Sequence, residues 1–224
     1  MTRLLGVFAK YWTPGQVKTR LAAALGQEAA ARLYAAFLRT TLSRFRHCGD
    51  RRVVVFSPSD RRGEFKALCS GDWELAPQST GDLGDRMHRF FADAFAKGAS
   101  RIVLIGSDSP TLPAEYIDRA FDLLADSPVV LGPTTDGGYY LVGISGQIPP
   151  IFEGIAWSTP QVWRQTAERL AVAQLRYDIL PQWYDVDESA DLERLREEVE
   201  RLVDSSEEYR RLYDELQRET SEGE

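Results

Sequence analysis

Cysteine is almost missing from this chain: Cys48 and Cys69 are the only two in 224 residues. Two widely spaced thiols make neither a zinc pattern nor a disulfide framework, so both are expected to be reduced and packed. Histidine is as scarce. His47 and His88 fall on expected helices with no metal-ligand or triad spacing, and no nucleophile motif accompanies them, which sets aside a Ser/His/Asp hydrolase. A charged start leading into a long apolar segment is also lacking, so no secretion signal or membrane span is expected and the cytoplasm is the default. Positive charge is in deficit. With 27 Lys+Arg against 34 Asp+Glu the net charge is −7, which argues against nonspecific binding to nucleic acid or to anionic membranes. Neither the GxxxxGK[ST] spacing of a Walker loop nor the glycine pattern of the dinucleotide fold occurs.

What is present reads as one ordinary globular domain. The length is enough to bury a proper core, and 43% apolar with 27% charged residues is the usual balance. Short apolar runs predict strands over residues 3–9 (RLLGVFA), 52–57, 73–76, 101–106 and 129–131, with a weaker one over 175–180. Between them, three- and four-residue apolar steps predict helices over 27–46 and 86–97, with shorter ones over 21–25, 60–69 and 163–170. Two charged helices close the chain, from Asp191 to about Val203 and from about Glu207 to Glu219. The second carries a stripe of Tyr209, Leu212, Tyr213 and Leu216 that docks on the domain or serves as an oligomer contact. The final SEGE is expected to be disordered. Strands alternating with helices imply an α/β fold whose mainly parallel sheet is covered on both faces.

Five polar stretches interrupt this pattern where chemistry is expected. The loop KYWTPGQVKTR follows the first strand and offers free backbone N–H groups beside Lys10, Gly15, Lys18 and Arg20, a phosphate cradle or an ordinary solvated loop. Asp108 in GSDSP stands just past a buried strand, where a hard divalent ion takes carboxylate oxygens; the alternative is a helix cap. Asp136 in TTDGGYY follows a second buried strand, and Asp-Gly is equally a hairpin signal. Asp185 and Asp187 alternate along an extended segment and can share a face, for metal or for capping. The loop from Gln78 through Gly81 and Gly84 to Arg86 can hydrogen-bond a base or sugar, or be surface only. Ligands of open α/β sheets bind at the carboxyl ends of the strands, which is where Asp108 and Asp136 fall.

Together FAKYWTPGQVKTRL, QSTGDLGDRM, LIGSDSPTLP, GPTTDGGYYLVG, AWST and DVDESADL resemble the small glycosyltransferase-like family associated with radical-SAM and arsenosugar-biosynthesis genes. That family lies within the nucleotide-diphospho-sugar transferase superfamily. The resemblance to 2-phospho-lactate guanylyltransferase and the molybdenum-cofactor guanylyltransferase is more distant. It implies a three-layer α/β/α, GT-A-like (Rossmann-like) domain over residues 1–204, followed by the C-terminal helix and tail. It also implies a divalent metal, Mg²⁺ or Mn²⁺, and a nucleotide or nucleotide-sugar donor held by the first loop and by the loop from Gln78 to Arg86. Lys18 and Arg20 match the family's KTRL, Asp108 its acidic metal position, Asp136 its DGG motif, and Asp185 or Asp187 its late acidic motif. Trp12 and the single-carboxylate SDS depart from the pattern. Glycosyl transfer to a small-molecule acceptor is the leading expectation, with Lys18 and Arg20 as catalytic cations that neutralise the leaving diphosphate and Asp136 or a nearby carboxylate orienting the acceptor or serving as its base. Nucleotidyl transfer with pyrophosphate release is the second, and a silent nucleotide-binding scaffold the third.

Overall fold

The structure, a computed structural model, describes residues 1–69 and 71–221. The remainder of the tail expected to be disordered, residues 222–224, lies outside the described residues. Among the described residues seven strands form one sheet: β1 (Arg3–Lys10), β2 (Arg51–Ser57), β3 (Glu74–Pro77), β4 (Arg101–Ile105), β5 (Val129–Pro133), β6 (Tyr139–Ser145) and β7 (Asp178–Ile179). Their spatial order is β3-β2-β1-β4-β6-β5-β7. All pairings are parallel except those of β6, which runs antiparallel to both β4 and β5. The chain therefore turns back once, through the Asp136–Gly137 hairpin, and then resumes the parallel sense. Because β6 separates β4 from β5, those two strands point the same way and their carboxyl ends share one edge.

Strand alternation sorts the core into two layers. Leu5, Val7 and Ala9 of β1 face α2 (Gln27–Arg44), α3 (Arg62–Leu68) and α5 (Ala114–Leu123), where Leu38, Leu42, Phe65 and Phe121 cover them. On the other face Leu4, Val55 and Leu104 pack against α4 (Leu83–Ala96) and α6 (Val162–Val172) through Met87, Phe90, Phe91 and Leu170. This is the three-layer α/β/α arrangement. A third cluster joins α1 (Thr19–Leu25) and α2 to α7 (Ser189–Leu202) and α8 (Glu207–Ser221), with Tyr184 and Val186 at its centre.

Local chemistry moves several boundaries. A 3₁₀ turn over Ser59–Arg61 precedes α3, so the helix expected over 60–69 is shorter. α4 starts at Leu83 rather than Arg86, because Asp82 and Asp85 form a reciprocal capping box that satisfies two orphan N–H groups. The last strand shrinks to Asp178–Ile179, since only these residues pair along β5.

α8 packs against α1, α2 and α7. Leu212 and Leu216 are each 1% exposed, and the half-buried Tyr213 packs beside them. The buried Glu219 carboxylate accepts two hydrogen bonds from Arg32 at 2.7 and 2.8 Å. The apolar stripe therefore packs within the chain. Deleting residues 205–224 exposes the covered faces of α2 and α7. Two buried leucines at roughly 1.5–3 kcal/mol each set a loss of at least about 3 kcal/mol. A urea unfolding series on the truncated chain should show a lower midpoint, and an unchanged midpoint would make α8 an appendage.

Candidate functional site

The carboxyl ends of β1 and β4 open into a cleft of about 690 Å³. Lys10 enters it from the end of β1, Lys18 from the loop that follows, Gln78 from the segment after β3, Arg86 from the first turn of α4, and Asp108 from just past β4. Asp185 and Asp187 reach it from residues 183–187, which leave β7 and cross toward β4. That crossing is held by main chain. Trp183 N–H donates to the Pro133 carbonyl, Thr135 N–H donates to the Trp183 carbonyl, and Val186 N–H donates to the Asp108 carbonyl at 3.0 Å.

Lys18 is the centre of this cleft. It precedes α1 with φ 46° and ψ 45°, a left-handed conformation that costs a non-glycine residue roughly 1–2 kcal/mol. Its side chain is 2% exposed, and its ammonium ion-pairs with Oδ1 of Asp108 and, at 2.9 Å, with Oδ1 of Asp187. Burial works to lower the Lys18 pKa, but the charges and hydrogen bonds of Asp108 and Asp187 outweigh it and hold the ammonium above its usual value. Asp185 lies beside them with its Oδ1 accepting from Ser109 Oγ at 2.6 Å. Burial first, and then the neighbouring charge of Asp108, push its carboxyl well above the ordinary carboxylate range.

A buried polar layer supports these groups from below. Tyr34 of α2 accepts from the Lys10 N–H at 2.9 Å and shares a 2.8 Å hydrogen bond with Ser107 Oγ. Burial, then the charge of Asp108, push the Tyr34 phenol up to about 12. On the far side of the crossing segment, Glu198 of α7 accepts from Tyr184 and from Thr111 at 2.8 Å, pinning the segment to the start of α5. Tyr34, Ser107, Ser109 and Glu198 were not among the sequence candidates. Tyr34 sits in the apolar stripe of α2 and reads as core there; only its hydroxyl could have pointed to a buried partner.

The remaining candidates divide. Gln78 donates from Nε2 to the Ala9 and Val55 carbonyls at 3.1 and 3.0 Å, and accepts from Arg86 Nη1 at 3.2 Å. It ties β1 to β2 and steadies Arg86, with its amide committed to the protein. Gly81 has φ +106°, and a Cβ there would lie 2.5 Å from the Asp85 carboxylate, so it belongs to the turn that caps α4. A Cβ on Gly84 would lie 2.3 Å from the Phe152 carbonyl, which makes it a packing residue of α4. Gly15 occupies a left-handed turn beside Gln27. None of the three glycines lines the cleft. Arg20 is exposed and pairs with Glu188 at 3.4 Å, next to the cleft but outside its lining. Asp136 accepts from Thr134 Oγ1 and from the Gly138 N–H, closing the β5–β6 turn, and the cleft lining does not include it. The hairpin alternative accounts for it.

Among the described residues no three His, Cys, Asp or Glu side chains converge closely enough to hold a metal ion as they stand. Lys18 stands between Asp108 and Asp187 instead. The donor chemistry still suits a hard divalent cation: Asp108 and Asp187, from two segments, offer carboxylate oxygens to one ammonium, and Asp185 lines the same cleft.

The family model described as an uncharacterised protein conserved in bacteria, DUF2064, matches residues 40–159. The chain belongs to this family. It is also similar to a protein of Desulfovibrio desulfuricans G20, provisionally described as a nucleotide-diphospho-sugar transferase. That match has 33% identity over 98% of this chain and 99% of that one, with a TM-score of 0.88. More remote likenesses show the fold alone. One is a cytidylyltransferase of Leptospira borgpetersenii, at 14% identity, 99% and 96% coverage, and TM-score 0.59. Another is the inositol-1-phosphate CTP transferase of T. maritima, at 13% identity, 96% and 96% coverage, and TM-score 0.54. No curated protein matches the sequence. The DUF2064 match spans Gln78, Arg86 and Asp108 and stops short of Lys18 and Asp187, whereas the Desulfovibrio protein aligns over nearly the whole chain.

The Tyr34 hydroxyl gives this site a stability test. Tyr34→Phe leaves the Lys10 N–H and Ser107 without their buried partner, and an orphaned group costs about 1–3 kcal/mol. Urea denaturation should show that loss with an unchanged far-UV spectrum.

Proposed function

We propose that the protein is a divalent-metal-dependent transferase that moves a glycosyl group from a nucleotide-diphosphate sugar to a small-molecule acceptor. The observation that carries this reading is the charge arrangement at the end of β4: a buried lysine held by Asp108 and Asp187, with Asp185 behind. The likeness to the provisionally described Desulfovibrio transferase supports it.

Asp108, Asp185 and Asp187 would hold Mg²⁺ or Mn²⁺, which when bound supplies positive charge to the donor's phosphates. The chain's own cations would do the same work. Lys18 lies among the carboxylates, while Arg86, steadied by Gln78, and the exposed Lys10 line the same cleft. Negative charge grows on the nucleoside diphosphate as the glycosyl bond breaks. Cations placed beside those oxygens stabilise that charge. Asp136 is not part of this machinery, and the acceptor-side group is not assigned to it.

A second reading, nucleotidyl transfer, has its own support. In it an acceptor phosphate oxygen attacks the α-phosphorus of an NTP, the bond to the β-phosphate oxygen breaks, and pyrophosphate leaves. The β4 end carries one carboxylate in SDS rather than an adjacent pair, and the second acidic group comes from residues 185–187 alongside it. The cleft of about 690 Å³ that these acids share with Lys10 and Arg86 has the size for a triphosphate.

Thermal melting with NTPs and NDP-sugars, each with and without Mg²⁺ or Mn²⁺, separates the two. A ligand at a hundred times its Kd adds about 2.7 kcal/mol, roughly 5–10 °C in Tm for a chain of this size. The expected outcome is metal-dependent stabilisation by an NDP-sugar. Stabilisation by free NTP, followed by pyrophosphate release with a phosphorylated acceptor, would overturn the glycosyl reading. Asp108→Ala should abolish the metal-dependent part of the shift while the protein still melts cooperatively, because Lys18 keeps Asp187. If the shift persists in full, Asp108 serves only to pair Lys18.

A further inference from the structure

We infer that Lys18 is a resident counter-cation of the carboxylate site, which a divalent ion must displace and which the donor's phosphates then receive. The inference deepens the proposed function and rests on its assignment of Asp108 and Asp187 to a metal.

Three observations carry it. First, Lys18 Nζ contacts Oδ1 of Asp108 and Oδ1 of Asp187, oxygens that a divalent ion needs for itself. Magnesium binds oxygen at about 2.0–2.1 Å, and an ammonium cannot keep both hydrogen bonds while an ion takes the same atoms. Two cations crowded onto one pair of carboxylates also repel each other. Second, the lysine is the most buried member of the cluster: its side chain is 2% exposed, against 38% for Asp108 and 40% for Asp187. A buried ammonium stripped of its partners is costly, so the ion cannot simply push it aside. Third, the same side chain lines the cleft shared with Lys10 and Arg86, where a phosphate would offer it new acceptors. A four-carbon stem with a compact charge can make that change by rotation about its own bonds.

The left-handed backbone at Lys18 fits this role. A conformation unfavourable to a non-glycine residue is kept where the side chain it directs is held by strong contacts. Here those contacts are the two ion pairs. Metal alone would gain the carboxylates and leave the ammonium unpaired. Phosphate alone would have to draw the lysine away from them. Each ligand therefore removes the obstacle to the other, a thermodynamic coupling that must be reciprocal.

The test needs no nucleotide. Free Mn²⁺ is followed by its electron paramagnetic resonance signal while the ion is titrated into the wild-type protein, Lys18→Met, Lys18→Gln and Lys66→Met. Lys66 is an exposed cation of α3 and controls for net charge alone. Removing the competitor should tighten Mn²⁺ binding in Lys18→Met by at least about fivefold, the lower end of ordinary coupling between sites. Lys66→Met should bind as the wild type does. Lys18→Gln keeps a hydrogen-bond donor and reads the same effect if the Met variant folds poorly. A variant that melts cooperatively only once Mn²⁺ is added would also support the inference, since the ion has then taken the lysine's place. Equal or weaker binding in the Lys18 variants, equal tightening in Lys66→Met, or no Mn²⁺ binding in any of the four proteins would overturn it. If Mn²⁺ tightens as expected but neither nucleotides nor nucleotide sugars bind, the proposed function fails and the role of Lys18 stands.

Discussion

A buried ammonium needs carboxylates, and in this chain that need draws the cleft together. Lys18 comes from the loop after β1, Asp108 from the end of β4, and Asp187 from the segment that leaves β7. No two of these are neighbours in sequence. Once Lys18 is buried, Asp108 and Asp187 must approach it, and their main chains are already tied by the Val186–Asp108 hydrogen bond. Asp191 then accepts from the Asp187 and Glu188 N–H groups, so the same segment becomes the capped start of α7. The ion pairs and the helix cap are successive parts of one continuous polar strip.

The opposite wall is built differently. Gln78 spans the Ala9 carbonyl of β1 and the Val55 carbonyl of β2 with its Nε2 group and accepts from Arg86 through its Oε1. A parallel sheet leaves carbonyls unpaired at its carboxyl edge, and a side-chain amide is a natural way to satisfy two of them at once. One wall thus consists of mobile or exchangeable charges and the other of a fixed amide supporting a guanidinium. A ligand with phosphates at one end and a base or sugar at the other meets two chemically distinct surfaces.

Much of the fold was legible because burial is periodic. RLLGVFA, RVVVFS and RIVLI are short β-branched or aliphatic runs, and the 3.6-residue repeat of α2 is unbroken from Ala30 to Leu42. The position of Asp108 just past a buried strand was equally plain. What the sequence could not carry was pairing at a distance: the partner of Asp187 lies 169 residues away in Lys18, and no local pattern encodes that. The glycines misled for a related reason. Gly81 and Gly84 look like a ligand loop in QSTGDLGD, yet one is needed by the Asp82–Asp85 cap and the other by the close packing of α4 on Phe152. Asp136 had two readings of similar weight, and the hydrogen bonds to Thr134 and Gly138 favour the turn.

The family match and the site do not coincide, and the mismatch bears on how the site is assembled. Residues 40–159 contain β2 through β6, the Gln78–Arg86 wall and Asp108. Lys18 precedes that segment, and Asp185 and Asp187 follow it. The middle of the chain therefore supplies a scaffold with one carboxylate, while the two ends bring the ammonium and the other acids to it. Those ends are fastened together away from the cleft as well, by the cluster in which Leu21 of α1 meets Leu195 and Leu212 of α7 and α8. Loosening that cluster would let Lys18 and Asp187 drift apart without touching either residue. The charge site and the α1–α7–α8 core must then form as one cooperative unit, so a change in that core should be felt in the cleft.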